Sequence, residues 1–382
     1  MLALTNGIVL TGFQRLTNVA VLIKENKIHS IIPESELPSS IEAYDLEGTM
    51  LSAGFIDLQV NGCGGVMFNS APTYSTLKHM QETNLKSGTT SFLPTFISDS
   101  DANIKTAVKA VETFTEKHHN QILGMHLEGP FTNVIRRGIH PKEQIRPLTQ
   151  TMVEWLLRHR KAIKQITLAP ELSTAEFIQQ LSQSGIIVSI GHSAATYEEA
   201  TNSFKQGVTS ATHLFNAMSS IANGREPGVV GAVFDRKVYS GIIADGHHVH
   251  WSNIRLAKTI LGDKLCLVTD ATAGAMPPSD MTEFNFCGAT IYLKDGICCD
   301  KNGTLGGSSL TMNNAIRLMA ENGGVSVDEA FRMATLYPAH SINMADKLGS
   351  IQPDKIANLT QITDNYQIVN TMINGQWTDT VI

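Results

Sequence analysis

Between about residue 53 and residue 345 the chain repeats one pattern. An apolar run only as long as a buried strand stops at a polar residue, and a stretch with helical period follows. Eight such runs can be read: Gly54 to Val60, Thr90 to Thr95, Ile122 to Glu128, Ile166 to Pro170, Ile186 to Gly191, Ser210 to Leu214, Tyr239 to Ala244 and Leu265 to Asp270. Near-continuous apolar strands separated by helices point to βα units around a parallel sheet that is covered on both faces. Eight is the count that closes a (β/α)8 TIM-type barrel, an α/β fold whose strand ends share one rim. Some of the helices are equally legible. Ile104, Ala107, Val108, Val111 and Phe114 form one apolar face behind the cap candidates Asp99-Ser100-Asp101, and Phe177 and Leu181 lie on another helix. Ser326-x-x-Glu329 reads as a capping box opening a helix that carries Phe331, Ala334 and Thr335.

Outside this repeat the period is that of short strands. Ile8-Val9-Leu10, Val19 to Ile23 and Lys27 to Ile32 alternate with turns near the start. Lys355 to Leu359 and Gln367-Ile368-Val369 do so near the end, where Asn374-Gly375 reads as a hairpin turn. The expectation is a small β-sandwich built from 1–52 and 346–382, with the barrel of 53–345 inserted between its halves. A chain of 382 residues with 42% hydrophobic residues can supply one core of ~250 residues or more beside a smaller unit.

Charge and cysteine usage narrow the function. The net charge of -6, with Lys and Arg scattered, offers no basic stripe to nucleic acid. No run of 18 apolar residues and no signal-peptide pattern at the start predict neither a membrane span nor export. Five cysteines (Cys63, Cys266, Cys287, Cys298, Cys299) without a C-x-x-C fit reduced thiols in the cytoplasm.

The residues that end the strands carry the chemistry. In a parallel barrel Asp57-Leu58-Gln59-Val60-Asn61, Glu128, His192, His213, the stretch Asp245 to His248, and Asp270 would all face one rim. Glu128, His192 and His213 are oxygen and nitrogen donors of the kind Zn²⁺ or Fe²⁺ accepts, and three protein ligands leave a position open for water. Asp270 follows an apolar run and precedes Ala271-Thr272-Ala273-Gly274, a poor helix start, so it reads as a functional carboxylate rather than a cap.

Taken together, Phe55 to Gly62, His126-Leu127-Glu128-Gly129-Pro130-Phe131, Gly191-His192-Ser193, Thr212 to Met218, Gly224-Arg225-Glu226-Pro227-Gly228, Val268-Thr269-Asp270-Ala271 and Ala334 to Ala339 resemble the N-acetylglucosamine-6-phosphate deacetylase family of the metal-dependent amidohydrolases. The resemblance runs nearly end to end. It implies a homodimeric hydrolase that removes acetate from N-acetylglucosamine 6-phosphate, with one divalent metal per subunit, zinc or else iron. Metal ligands would be Glu128, His192 and His213. Asp270 would be general base and acid, and His140 would hydrogen-bond the acetyl oxygen. Substrate contacts would come from His140, Asn216, Ala217, Arg225, His248, Gln59 and Asn61, some of them across the dimer. Many amidohydrolases carry His-x-His at the end of the first strand; Gln59-Val60-Asn61 stands there instead, and amides bind Zn²⁺ poorly, which favours a single metal. The glycine-rich stretch Gly303 to Ser309 either lets backbone approach the ligand or is a flexible loop. Other readings are a deacetylase for the galacto epimer, a cyclic-amide hydrolase, or a non-catalytic sugar-phosphate binder.

Overall fold

The computed structural model describes residues 1–378, so residues 379–382 of the expected terminal unit lie outside the described residues. Eight parallel strands run in sequential order around one sheet: Phe55–Val60, Thr89–Ile97, Met125–Glu128, Ile163–Leu168, Ile187–Ile190, Val208–Ala211, Tyr239–Ile242 and Leu265–Leu267. The side chains of the first two are buried along their whole length, as strands sandwiched between barrel interior and outer helices must be. The eighth strand is short, and the barrel closes beyond it. Asp270 N–H donates to the Gln59 carbonyl at 3.0 Å, and Asn61 N–H to the Ala271 carbonyl at 2.8 Å. This closure sets Asp270 beside the end of the first strand.

The outer helices follow the apolar periods. Ser100 caps helix Asp101–Thr115 through Asn103 N–H, and Ile104, Ala107, Val108, Val111 and Phe114 are its buried face. Helix Ala175–Gln183 buries Leu181 together with Ile178, while Phe177 is half-buried. Helix Val327–Ala334 is capped by Ser326, but the capping box expected there is only half made. Glu329 turns outward instead to Lys258, Arg332 and the Tyr337 hydroxyl. A complete box forms at Thr196-x-x-Glu199, which opens helix Tyr197–Gln206.

Both termini share a six-stranded sheet. Ile8–Leu10, Arg15–Leu16 and Met50–Ala53 join Leu359–Ile362, Ile368–Ile373 and Gln376–Trp377. A four-stranded sheet of N-terminal strands packs on it over Leu4, Val9, Val21, Ile23, Leu51, Leu359 and Met372. Asn374 and Gly375 turn the last hairpin with φ of 49° and 80°, the left-handed pair that a tight turn requires. Most strand ends shift by a few residues from the sequence reading, and three differences are larger or local in cause. The C-terminal strand begins at Leu359, because residues 355–358 form no continuous ladder, their strand pairing being the isolated bridge of Ile356 with Lys27. The third barrel strand begins at Met125, since Gly124 at φ 112° leaves the ladder. A three-stranded antiparallel sheet, Glu283–Phe286, Ala289–Lys294 and Ile297–Cys299, follows the eighth strand and had no counterpart in the reading. All five cysteines are free thiols, and among the described residues no helix is long and apolar enough to cross a membrane.

Candidate active site at the barrel mouth

The strand ends converge as parallel topology demands. Glu128 Oε1 lies 2.9 Å from His213 Nε2 and 3.1 Å from His192 Nε2, and the two nitrogens are 3.1 Å apart. All three residues are buried. His192 donates its Nδ1–H to the Arg136 carbonyl at 2.8 Å, so in its neutral form it turns a bare Nε2 lone pair inward. One carboxylate oxygen and two ring nitrogens therefore crowd a single point with more lone pairs than protons. That donor set fits a divalent cation, around which tetrahedral ligands with ~2.0–2.1 Å bonds sit roughly 3.3 Å from one another. His140 belongs to the same cluster: Glu128, His140 and His192 each bring a ligand atom within 4.8 Å of the others. His213 Nε2 lies 2.9 Å from the same carboxylate, and His140 Nδ1 lies 2.7 Å from Ser98 Oγ.

The backbone is held out of its easy conformations here. His192, His213 and Asp270 all lie in the left-handed region, with φ of 48°, 30° and 52°, as do Phe215 and Ala217 between them. Each such non-glycine residue costs roughly 1–3 kcal/mol and persists only where its surroundings over-determine it, which is characteristic of functional sites.

Asp270 stands on the other side of Gln59. The Gln59 amide nitrogen lies 3.1–3.2 Å from both Glu128 oxygens and 3.1 Å from Asp270 Oδ1, so its two N–H groups bridge the carboxylates. Asn61 adds a bond to Asp270 Oδ1 at 2.7 Å, while its own Oδ1 is buried without a partner. Burial, with the charge of Glu128, pushes Asp270 up to about 6. Burial also opposes the Glu128 carboxylate, but bonds from His192 and His213 hold it well below its ordinary value. His140 is held well below the usual imidazole value by burial and by His192, and so stays neutral. Beneath them Asp57, raised to about 7 by burial, accepts from Thr269 Oγ1 at 2.5 Å and braces the segment that carries Asp270.

Above these groups opens a cavity of about 330 Å³ lined by Asn61, Glu128, His140, His192, His213, Asn216, Ala217, His248 and Asp270, among others. His248 points a buried, unpartnered Nε2 and is oriented by Asp245, whose Oδ2 lies 2.6 Å from its Nδ1. Two expected substrate residues stand elsewhere. Gln59 lies below the cavity on the carboxylates, and Arg225 sits on an exposed loop outside the lining. The glycine-rich stretch does reach the rim, through Thr304, Leu305 and Gly307. Sequence reasoning placed Asp245 at the rim without its link to His248, and passed over Ser98, Phe286 and Arg136, the last being, among the described residues, the one Lys or Arg side chain in the lining. Arg136 had a readable signal, a basic pair between the Gly129-Pro130 turn and His140.

Known proteins resemble this chain along nearly its whole length. The amidohydrolase family profile matches residues 50–378, and the NagA composite domain profile matches residues 1–51. N-acetylglucosamine-6-phosphate deacetylase of Haemophilus influenzae is 49% identical over 375 residues, 98% of each chain. N-acetylgalactosamine-6-phosphate deacetylase of Shewanella is 40% identical, over 87% of this chain and 84% of its own. The crystal structure of N-acetylglucosamine-6-phosphate deacetylase from Pasteurella multocida superposes with a TM-score of 0.97 at 47% identity, covering 98% of this chain and 99% of that one. This chain belongs to the amidohydrolase family.

Proposed function

We infer that the protein hydrolyses the N-acetyl group of N-acetylglucosamine 6-phosphate, giving glucosamine 6-phosphate and acetate. The observation that carries this reading is the meeting of Glu128, His192 and His213 at one point, with Asp270 linked to it through Gln59. Those three residues would hold one divalent ion, zinc or else iron, and Gln59 and Asn61 in place of His-x-His leave the cluster short of ligands for a second. When bound, the ion supplies a lowered pKa for water, from ~15.7 towards ~7, and polarises the acetyl oxygen. Asp270, ionised above about 6, takes the proton of the attacking water and then returns it to the departing amine. His140, neutral and facing the cavity, donates to the oxygen on which negative charge grows. Asn216, Ala217 and His248 also line the cavity and would contact the hydroxyls and phosphate of a sugar, Ala217 through its backbone N–H; Arg225, outside the lining, would be the forked phosphate partner.

The division into a β-sandwich of 1–52 with 346–382 and a barrel of 53–345 belongs to this reading, as do a homodimer and a cytoplasmic location. The Shewanella relative favours one second reading, the galacto epimer as substrate. Acetate release measured on both sugar phosphates decides between them. The mechanism is tested with Asp270→Asn, which should keep metal content and substrate affinity while kcat falls by ~10²–10⁴-fold. Near-normal kcat in that variant removes Asp270 from the chemistry.

A further inference from the structure

The geometry points to Ser98 as the positioning residue that fixes the tautomer of His140 and so makes it a donor. The inference rests on the reading of His140 as the group that bonds the acetyl oxygen. Ser98 follows the second barrel strand and is fully buried, with its Oγ 2.7 Å from His140 Nδ1. Among the described residues that hydroxyl has no other hydrogen-bond partner. His140 is fixed at its backbone as well: its N–H donates to the Arg137 carbonyl at 3.0 Å, and its carbonyl accepts from Arg137 Nη1 at 2.9 Å. The ring is buried and lines the cavity, and among the described residues its one hydrogen bond is the one at Nδ1.

A neutral imidazole has one N–H and one bare nitrogen, and the bond made at one side settles which is which. Two arrangements are open to the pair. Were Nδ1–H to donate to Ser98, the hydroxyl proton would be buried without an acceptor, a costly state. When Ser98 donates to Nδ1 instead, both protons are placed: the hydroxyl's on Nδ1, and the ring's on Nε2, facing the cavity. The second arrangement presents a hydrogen-bond donor to a developing oxyanion; the first presents a lone pair and repels it. Room for the pair depends on Gly129, at φ +85°, where an added Cβ would come within 2.4 Å of Ser98 Oγ and 3.5 Å of His140 Nδ1.

The test uses full-length, zinc-loaded protein with nitrogen-15 histidine, the ring signals of His140 being identified by their loss in His140→Asn. In the wild type Nδ1 should resonate as a bare nitrogen and Nε2 as a protonated one. Ser98→Ala should let the Nδ1–H tautomer appear and lower kcat by about 10²-fold, the effect of losing one oxyanion donor, with KM within about twofold. Ser98→Thr should restore both. A protonated Nδ1 in the wild type overturns the inference. So does a Ser98→Ala variant whose kcat is unchanged, or one whose kcat falls together with metal content while the tautomer stays as it was. His140→Asn with normal kcat but the stated tautomer in the wild type is a different result: it leaves the Ser98 bond standing and removes the oxyanion role of His140.

Discussion

Asp270 and Asn61 show how one amide tunes the carboxylate proposed as general base. Burial and Glu128 raise the Asp270 carboxyl to about 6, and Asn61, 2.7 Å away, lowers it by stabilising the ionised form. A base must be ionised to work, so kcat/KM should be level above that value and fall tenfold per pH unit below it. A cation held by Glu128, His192 and His213 favours the carboxylate, which places the limb at or below about 6. Asn61→Ala removes a bond to a charged group worth about 1.5 kcal/mol, so the limb should move up by about one unit. A pH–rate profile checks both statements, and a limb that stays put or moves down in Asn61→Ala contradicts them. The residues of this site were legible where chemistry and strand ends coincide, as at Glu128, His192, His213 and Asp270. Ser98 was not, and Asp245 was read at the rim without its partner, because a serine or an aspartate has no pairing pattern until the fold brings it against a particular histidine.

Elements divide in the same way. Eight strands could be read because a strand buried on both faces must be an apolar run, and the run sets its own length. The sheet of Glu283–Phe286, Ala289–Lys294 and Ile297–Cys299 escaped because it alternates exposed and buried residues over short stretches, unlike the apolar runs that gave the barrel away. Ser326-x-x-Glu329 was misread for a further reason: a box needs its glutamate free, and Glu329 is claimed by Lys258 of helix Trp251–Leu261, by Arg332 and by Tyr337. The claim predicts an order of stabilities. Ser326→Ala loses one cap bond and should cost about 1 kcal/mol. Glu329→Gln strips the counter-charge from Lys258, whose side chain is only 12% exposed, and should cost more, roughly 1–3 kcal/mol. Neither change touches the cavity, so kcat should hold in both. Chemical denaturation with Glu329→Gln the milder of the two would show that the outward network is decoration.

At the scale of the whole molecule the cavity of one chain is short of positive charge for a phosphorylated substrate. Among the described residues Arg136 is the only guanidinium in its lining, and Arg225 lies outside it on an exposed loop. The same loop carries Ile221, 53% exposed, and the loop at the cavity edge carries Ile135, 78% exposed. The proposed homodimer would cover these apolar side chains. In a twofold dimer a residue that reaches across must do so twice, so Arg225 of each subunit would serve the other's cavity. The sequence places Arg225 in a loop but has no means of saying whose cavity it enters, because that depends on a rigid-body docking rather than on the chain's own order. Mixing two crippled variants separates the cases. Asp270→Asn supplies an intact Arg225 with a dead base; Arg225→Ala supplies an intact base without the guanidinium. If Arg225 acts across the interface, refolding or co-expressing the two yields mixed dimers with one complete site each, and random pairing restores about a quarter of wild-type activity at low substrate. If it acts within its own chain no mixed dimer holds a complete site, and activity stays at the level of the separate variants although both fold and pair. The same Arg225→Ala protein should show a raised KM for N-acetylglucosamine 6-phosphate and little change for the unphosphorylated sugar, since only the former offers oxygens to a planar fork.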